Sequence, residues 1–174
     1  MKNHIYFCVT FLLFFNGFNA QVSIGKTSVN GNSTLLDFYD NTDNTEGIII
    51  PAVTSATVVE TVGTPAPGTF ILDQTDQKIK VYENSAWLEL SDAGDTSALI
   101  VNNETEKGNG VILGDQSSTA SGILVLEDPA KAMVLPKIEN PHINVPNPYP
   151  GMICYDTVSQ SLAVFDGENW SYWK

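Results

Sequence analysis

GMICYDTVSQSLAVFDGENWSYW, residues 151–173, repeats without a gap the stretch GTFILDQTDQKIKVYENSAWLEL at residues 68–90. Aligned from Pro65 and Pro148, identical residues stand at Pro65/Pro148, Pro67/Pro150, Gly68/Gly151, Asp73/Asp156, Gln77/Gln160, Val81/Val164 and Trp87/Trp170. Character is kept at Phe70/Ile153, Ile79/Leu162, Tyr82/Phe165 and Glu83/Asp166. Self-similarity at a fixed spacing is the mark of a repeat architecture. Within each copy, short apolar and β-branched runs are separated by turn chemistry, at Gln74–Gln77 and Thr157–Gln160 and then at Asn84-Ser85 and Asp166-Gly167. That pattern predicts a three-stranded antiparallel meander. Asp-Gly is the stronger tight-turn signal, matching a type I′ hairpin with positive φ at both central residues. The Pro-x-Pro-Gly before each copy ends whatever precedes it and fixes where the meander begins.

The repeat extends backwards. Ile48-Ile49-Ile50-Pro51 corresponds to Met133-Val134-Leu135-Pro136, Leu35–Phe38 to Ile123–Leu126, and the Gly-closed entry strand ending at Gly25 to Gly110–Gly114. The fold class expected is therefore all-β, as two tandem β-meander modules at residues 21–92 and 108–174. A linker at 93–107 joins them, and its Ala98–Val101 run is apolar enough to suggest a short extra strand. Thr54–Thr61 fits one or two turns of helix with Ser55 as N-cap, although Val58 and Val59 fit a strand as well. In the second module, Pro141, Pro146 and Pro148 exclude a long helix there and favour an extended path.

The pattern G-x-[IL]-x-x-D-x(5)-[IL]-x-V-[YF]-[ED]-x-x-x-W resembles segments that recur in secreted and surface proteins of Bacteroidetes and, more loosely, in phage tail-fibre-like proteins. The resemblance covers most of residues 21–174. It implies structural repeat positions at Gly68, Asp73, Trp87, Gly151, Asp156 and Trp170, and a fibre-like assembly. The first copy departs from it, with Leu72 where Tyr is expected and Asn84 where Gly is expected.

Residues 1–20 read as a secretory signal peptide, with Lys2, an apolar run from Ile5 to Phe15 and a cut after Ala20. That run is shorter than the roughly 20 residues that span a bilayer, so no membrane insertion is expected once the segment is removed. The chain that follows is expected to be secreted or displayed at the cell surface. It holds all 20 acidic residues and every Lys except Lys2, and it has no Arg. Such a charge repels nucleic acid and anionic membranes and supplies no bidentate phosphate reader. Cys154 is its only thiol, which rules out an intrachain disulfide. Its place in the apolar run Met152–Tyr155, with no basic neighbour, predicts a buried and unreactive side chain.

Candidate chemistry is sparse. His142, in PHINVP, is the only His after residue 20, so a Ser-His-Asp or Cys-His pair would depend on it, and a lone His is more often a surface or packing residue. No cofactor motif stands out, since GNGVILG lacks the strand-then-helix setting of a dinucleotide fingerprint. The acidic loop Asp40–Gly47 clusters hard oxygens, but Asp40, Asp43 and Glu46 lie three apart, unlike the alternating ligands of an EF-hand. An ordinary acidic turn is the better reading than Ca²⁺, and no metal site is expected.

Aromatic residues concentrate in the meanders. Trp87 and Trp170 share a repeat position and are expected in the core with their rings mostly buried. Tyr172 and Trp173 are the candidate contacts for a glycan or a cell-surface partner. The functional expectation is a non-catalytic structural or adhesive surface protein. A carbohydrate-binding module using exposed aromatics is the alternative, and a carboxylate-based glycan hydrolase a remote one. Met152–Tyr155 and Leu162–Phe165 are apolar on both faces of the second meander, which suggests that other chains cover one of them. A homo-oligomer follows, with a trimer favoured.

Overall fold

The computed structural model describes residues 21–100, 110–120 and 122–174. Residues 1–20, read in the sequence as a signal peptide, and most of the linker's second half, with Val101, lie outside the described residues. The fold is all-β, its strands stacked as coils in a solenoid-like way, and among the described residues the helices are two short ones, α1 (Ala56–Val62) and α2 (Pro141–Asn144). In the first module the strands are β1 (Val22–Ile24), β2 (Thr34–Phe38), β3 (Ile48–Ile49), β4 (Ala52–Val53), β5 (Phe70–Asp73), β6 (Lys78–Glu83) and β7 (Ala86–Glu89). The second module repeats them as β8 (Val111–Leu113), β9 (Leu124–Leu126), β10 (Ala132–Met133), β11 (Lys137–Ile138), β12 (Met152–Asp156), β13 (Ser161–Phe165) and β14 (Trp170–Trp173).

The duplication holds at the level of hydrogen bonds. Tyr82 stands opposite Trp87 in β6–β7, and Phe165 opposite Trp170 in β13–β14. Gly68 N–H donates to Tyr82 O and Gly151 N–H to Phe165 O, both at 2.8 Å, from glycines at φ 89° and 87°. The entry strands pair in parallel in both modules, Val22 with Leu36 and Val111 with Leu124. In each module a two-residue strand after the conserved Pro pairs in parallel with the meander, β4 with β5 and β11 with β12.

Asp73 and Asp156 hold equivalent corners. Asp156 is 1% exposed and accepts from the backbone N–H groups of Asn140 (3.0 Å), Val158 (3.0 Å) and Ser159 (3.2 Å). Asp73 accepts from Ala56 N–H (2.9 Å), Thr75 N–H (2.9 Å) and the buried Lys80 Nζ (2.9 Å). Each carboxylate thus closes the first turn of its meander and ties down the segment entering α1 or α2.

The modules share one core. Ile50, Leu72, Ile79 and Leu90 of the first pack with Ile153 and Val164 of the second. The opposite face of the second meander, Cys154 and Ala163, is covered by Ile138, Val145 and Trp170 of its own module. Both faces are therefore filled from within the chain, and the two-sided apolar pattern does not itself call for a neighbouring chain. Cys154 is fully buried, and burial pushes its thiol up to about 12.

Three expectations need correction. Residues 98–100 form no strand; the chain makes a turn with Leu99 N–H on Thr96 O, and Leu99 packs on the shared core. The type I′ turn belongs to the first copy, where Asn84 (φ 49°) and Ser85 (φ 64°) are both left-handed. In the second copy the central residues are Gly167 (φ 105°) and Glu168, one position later than Asp-Gly suggests, and only the first has positive φ, as in a type II′ turn. Asp166 instead caps that turn, its Oδ1 accepting from Glu168 N–H (2.9 Å) and Asn169 N–H (2.7 Å). The Pro-rich path of the second module is not wholly extended, because Pro141 opens the single helical turn α2. Trp87 and Trp170 are both largely out of solvent, as their shared repeat position suggests, and stack against Tyr82 (centroids 5.1 Å apart) and Phe165 (5.3 Å).

Between the modules the contact is β-pairing as well as packing. β3 of the first pairs antiparallel with β12 of the second, Ile49 opposite Met152 and Ile48 opposite Ile153. In return β10 of the second pairs in parallel with β2 of the first. Asn44, 7% exposed, donates its side-chain amide to Lys137 O (3.0 Å) and fastens the acidic loop to β11.

Candidate functional site

Strand β14 carries its side chains alternately to two faces. Trp170 and Tyr172 share one, and Trp173 lies on the other. On the first face, α2 brings His142 beside Tyr172, with Nδ1 and the phenol oxygen 2.8 Å apart and the rings edge-on at 87°. The β13–β14 turn adds Glu168 and Asn169. These five residues line an open groove of about 450 Å³.

The groove exists because α2 is short. In the first module the equivalent space is taken by α1, whose Glu60 carboxylate accepts from Trp87 Nε1 at 3.1 Å. The prolines of the second module stop its helix after four residues. Among the described residues Trp170 Nε1 has no protein acceptor. The groove therefore offers an indole donor, an amide, a carboxylate, an imidazole and two aromatic faces, a set suited to stacking on a ring and hydrogen-bonding its hydroxyls. Burial, helped by the charge of Asp156, raises the Tyr172 phenol, so it stays protonated at neutral pH and serves as a hydrogen-bonding group rather than as a base.

Of the two aromatic contacts expected from sequence, only Tyr172 belongs to this groove. It is 38% exposed. Trp173 is 40% exposed, but its Nε1 donates to Leu90 O, so it clasps the last strand of the second module to the end of the first meander. His142, set aside in the sequence as a surface or packing residue, is a groove wall. The signal that could have found it is the loss of helix length at the prolines, which leaves Trp170 Nε1 without the acceptor that Glu60 gives Trp87.

Elsewhere the polar clusters are internal. In the acidic loop, Asp40 pairs with Lys26 (3.3 Å) and Asp43 accepts from the Tyr39 hydroxyl (3.0 Å), so the carboxylates do not converge. Among the described residues no group of three or more His, Cys, Asp or Glu is gathered as a metal site. No helix among them is long and apolar enough to cross a membrane. Comparison of the chain with protein-family models, with curated proteins and with solved structures gives no match.

Proposed function

We propose that this chain is an exported, non-catalytic structural or adhesive surface component that self-associates through its β modules. The observation that carries the proposal is that its two modules are joined by reciprocal strand pairing, β3 onto β12 and β10 onto β2. Modules that bind one another through backbone ladders are suited to build longer assemblies from further copies. The fibre-like resemblance of the repeat supports the same use, and makes a trimer the closed form we favour. Light scattering on the purified chain at rising concentration tests it. A mass that is a multiple of the 18.9 kDa chain, corrected for any cleaved leader, is expected; a folded monomer throughout would overturn the proposal.

A second reading, glycan binding, is favoured by one specific contrast: the groove of His142, Glu168, Asn169, Trp170 and Tyr172 is open where the first module fills it with Glu60. On a glycan array, binding abolished by Tyr172→Ala and retained by Trp173→Ala is the expected result for that site. No binding to any immobilised saccharide would remove it.

A further inference from the structure

The strand pairing that joins the modules is unfinished at both ends of the chain. β12 receives β3 along the edge opposite β13, with Ile50 N–H on Gly151 O at 3.0 Å. The equivalent edge of the first meander belongs to β5. There Leu72 N–H meets Pro51 O at 2.9 Å, so Phe70, two residues earlier, points its own N–H and C=O to the same side. Phe70 corresponds to Ile153, which faces β3, yet among the described residues no strand pairs with that edge of Phe70. Glycine geometry marks the same gap. A Cβ built on Gly151 would meet Ile50 at 3.4 Å, whereas one built on Gly68 would meet nothing within 4 Å.

The missing strand has a counterpart in the second module. By the Pro51/Pro136 equivalence, Met133-Val134-Leu135 corresponds to Ile48-Ile49-Ile50. Ala132 donates its N–H to Ser33 O (2.8 Å), just before β2, and Val134 to Leu36 O (2.9 Å) of β2. The intervening Met133 and Leu135 therefore face the opposite edge, where the described residues place no acceptor. This is the edge that Ile48 and Ile50 use on β12.

A second, complementary pair is open as well. Ile49, 44% exposed, turns its backbone away from β12, as Val134 does from the free edge of β10. The place where Val134 finds Leu36 corresponds, by strand register, to Leu124 of β9, which is 48% exposed and, among the described residues, unpaired on its outer side.

We propose that a second copy of this chain docks head to tail, so that Met133–Leu135 of one chain pairs antiparallel with Gly68–Phe70 of the next, while β3 of that next chain pairs with β9 of the first. This rests on the self-association proposed above and names its interface. Each of the four open edges meets the edge it already meets inside the chain, one module along. Ladder formation begins at Met133, because Ala132 stands where Gly47 does, and a Cβ on Gly47 would lie 2.7 Å from Ile153 O. The interface is heterologous, so it generates a ring when the rotation closes and a filament when it does not. Both partners are acidic, so added salt strengthens the association.

Disulfide trapping between two single-site variants reads the register directly. Thr69 and Val134 take the places of Met152 and Ile49, a directly opposed, non-hydrogen-bonded pair in the internal ladder. Such pairs bring Cα atoms to about 4.5 Å, within disulfide reach. Thr69→Cys is mixed with a mass-tagged Val134→Cys chain and oxidised, with Ala130→Cys, on an exposed turn, as the control in place of Val134→Cys. Cys154 is buried in both. A mixed dimer with Val134→Cys and none above background with Ala130→Cys is expected. Assembly by light scattering without that mixed dimer overturns this interface and leaves self-association standing. A monomer at every concentration overturns both.

Discussion

Replacing Asp156 by Ala removes the acceptor of three backbone N–H groups, those of Asn140, Val158 and Ser159, from a site that is 1% exposed. Donors left without a partner cost about 1–3 kcal/mol each when buried and less where water reaches them, so the three together cost about 3–5 kcal/mol. That is a large share of the ~5–15 kcal/mol of a typical domain. Urea unfolding followed by Trp fluorescence at neutral pH reads it. With a slope of about 2 kcal/mol per M, the midpoint falls by roughly 2 M. Asp156→Asn keeps one acceptor oxygen and recovers about half of the loss. Asp73→Ala removes the acceptor of two backbone N–H groups in the first module and one of the two carboxylates on Lys80, which is 8% exposed and keeps Asp76 at 2.5 Å. The shared core makes the two losses appear in one cooperative transition. A midpoint for Asp156→Ala within about 0.5 M of the parent would refute the view that this carboxylate anchors the meander to the segment before it.

Acid lability follows from the same groups. Burial pushes the carboxyls of Asp37, Asp73 and Asp156 upward, but their hydrogen bonds, with Lys26 beside Asp37 and Lys80 beside Asp73, outweigh it and hold all three below the ordinary value. Stability is thus full above the unfolded-chain pKa of about 4 and declines as pH falls through that value towards the folded ones, which a series of urea midpoints from neutral to acid pH will show. Cys154, with its thiol pushed up to about 12, reacts with a thiol reagent only as fast as the chain unfolds; native labelling as fast as that of a free thiol would contradict its burial. Gly151→Ala and Gly68→Ala each put a side chain on a left-handed residue at a backbone cost of about 1 kcal/mol, and because a Cβ on Gly151 would only reach ordinary contact with Ile50 at 3.4 Å, the two losses are similar. A much larger loss for Gly68→Ala in dilute solution would mean that the edge beside Gly68 is already filled.

The meanders were legible because their information is local. Paired turns at Gln77 and Gln160, both left-handed in the structure, and apolar runs of strand length recur at one spacing. Helix α1 was legible as far as its cap, Ser55, whose side chain accepts from Val58 N–H. The pairing of the modules was not legible, since β3, β4, β10 and β11 have two residues each and carry no periodicity. What fixes them is the partner edge, distant in sequence. The turn after β13 was misplaced by one residue because Asp166 looked like a turn centre and serves as its cap. Repetition also marked Trp87 and Trp170, and both rings are largely out of solvent, stacked on Tyr82 and Phe165. The groove was hidden for the same reason as the strand pairing: it depends on where the prolines end α2 relative to β14, and only Tyr172 could be singled out in advance.

Backbone amide exchange, followed from micromolar to near-millimolar concentration, tests the open ladders most directly. The amides of Ile153 and Ile50, paired within the chain, are protected at every concentration. Those of Phe70, Met133 and Leu135 exchange fast in dilute solution and gain protection together as concentration rises. Exchange at these three that stays fast while the mass of the particle grows, or protection that never depends on concentration, would contradict the head-to-tail pairing.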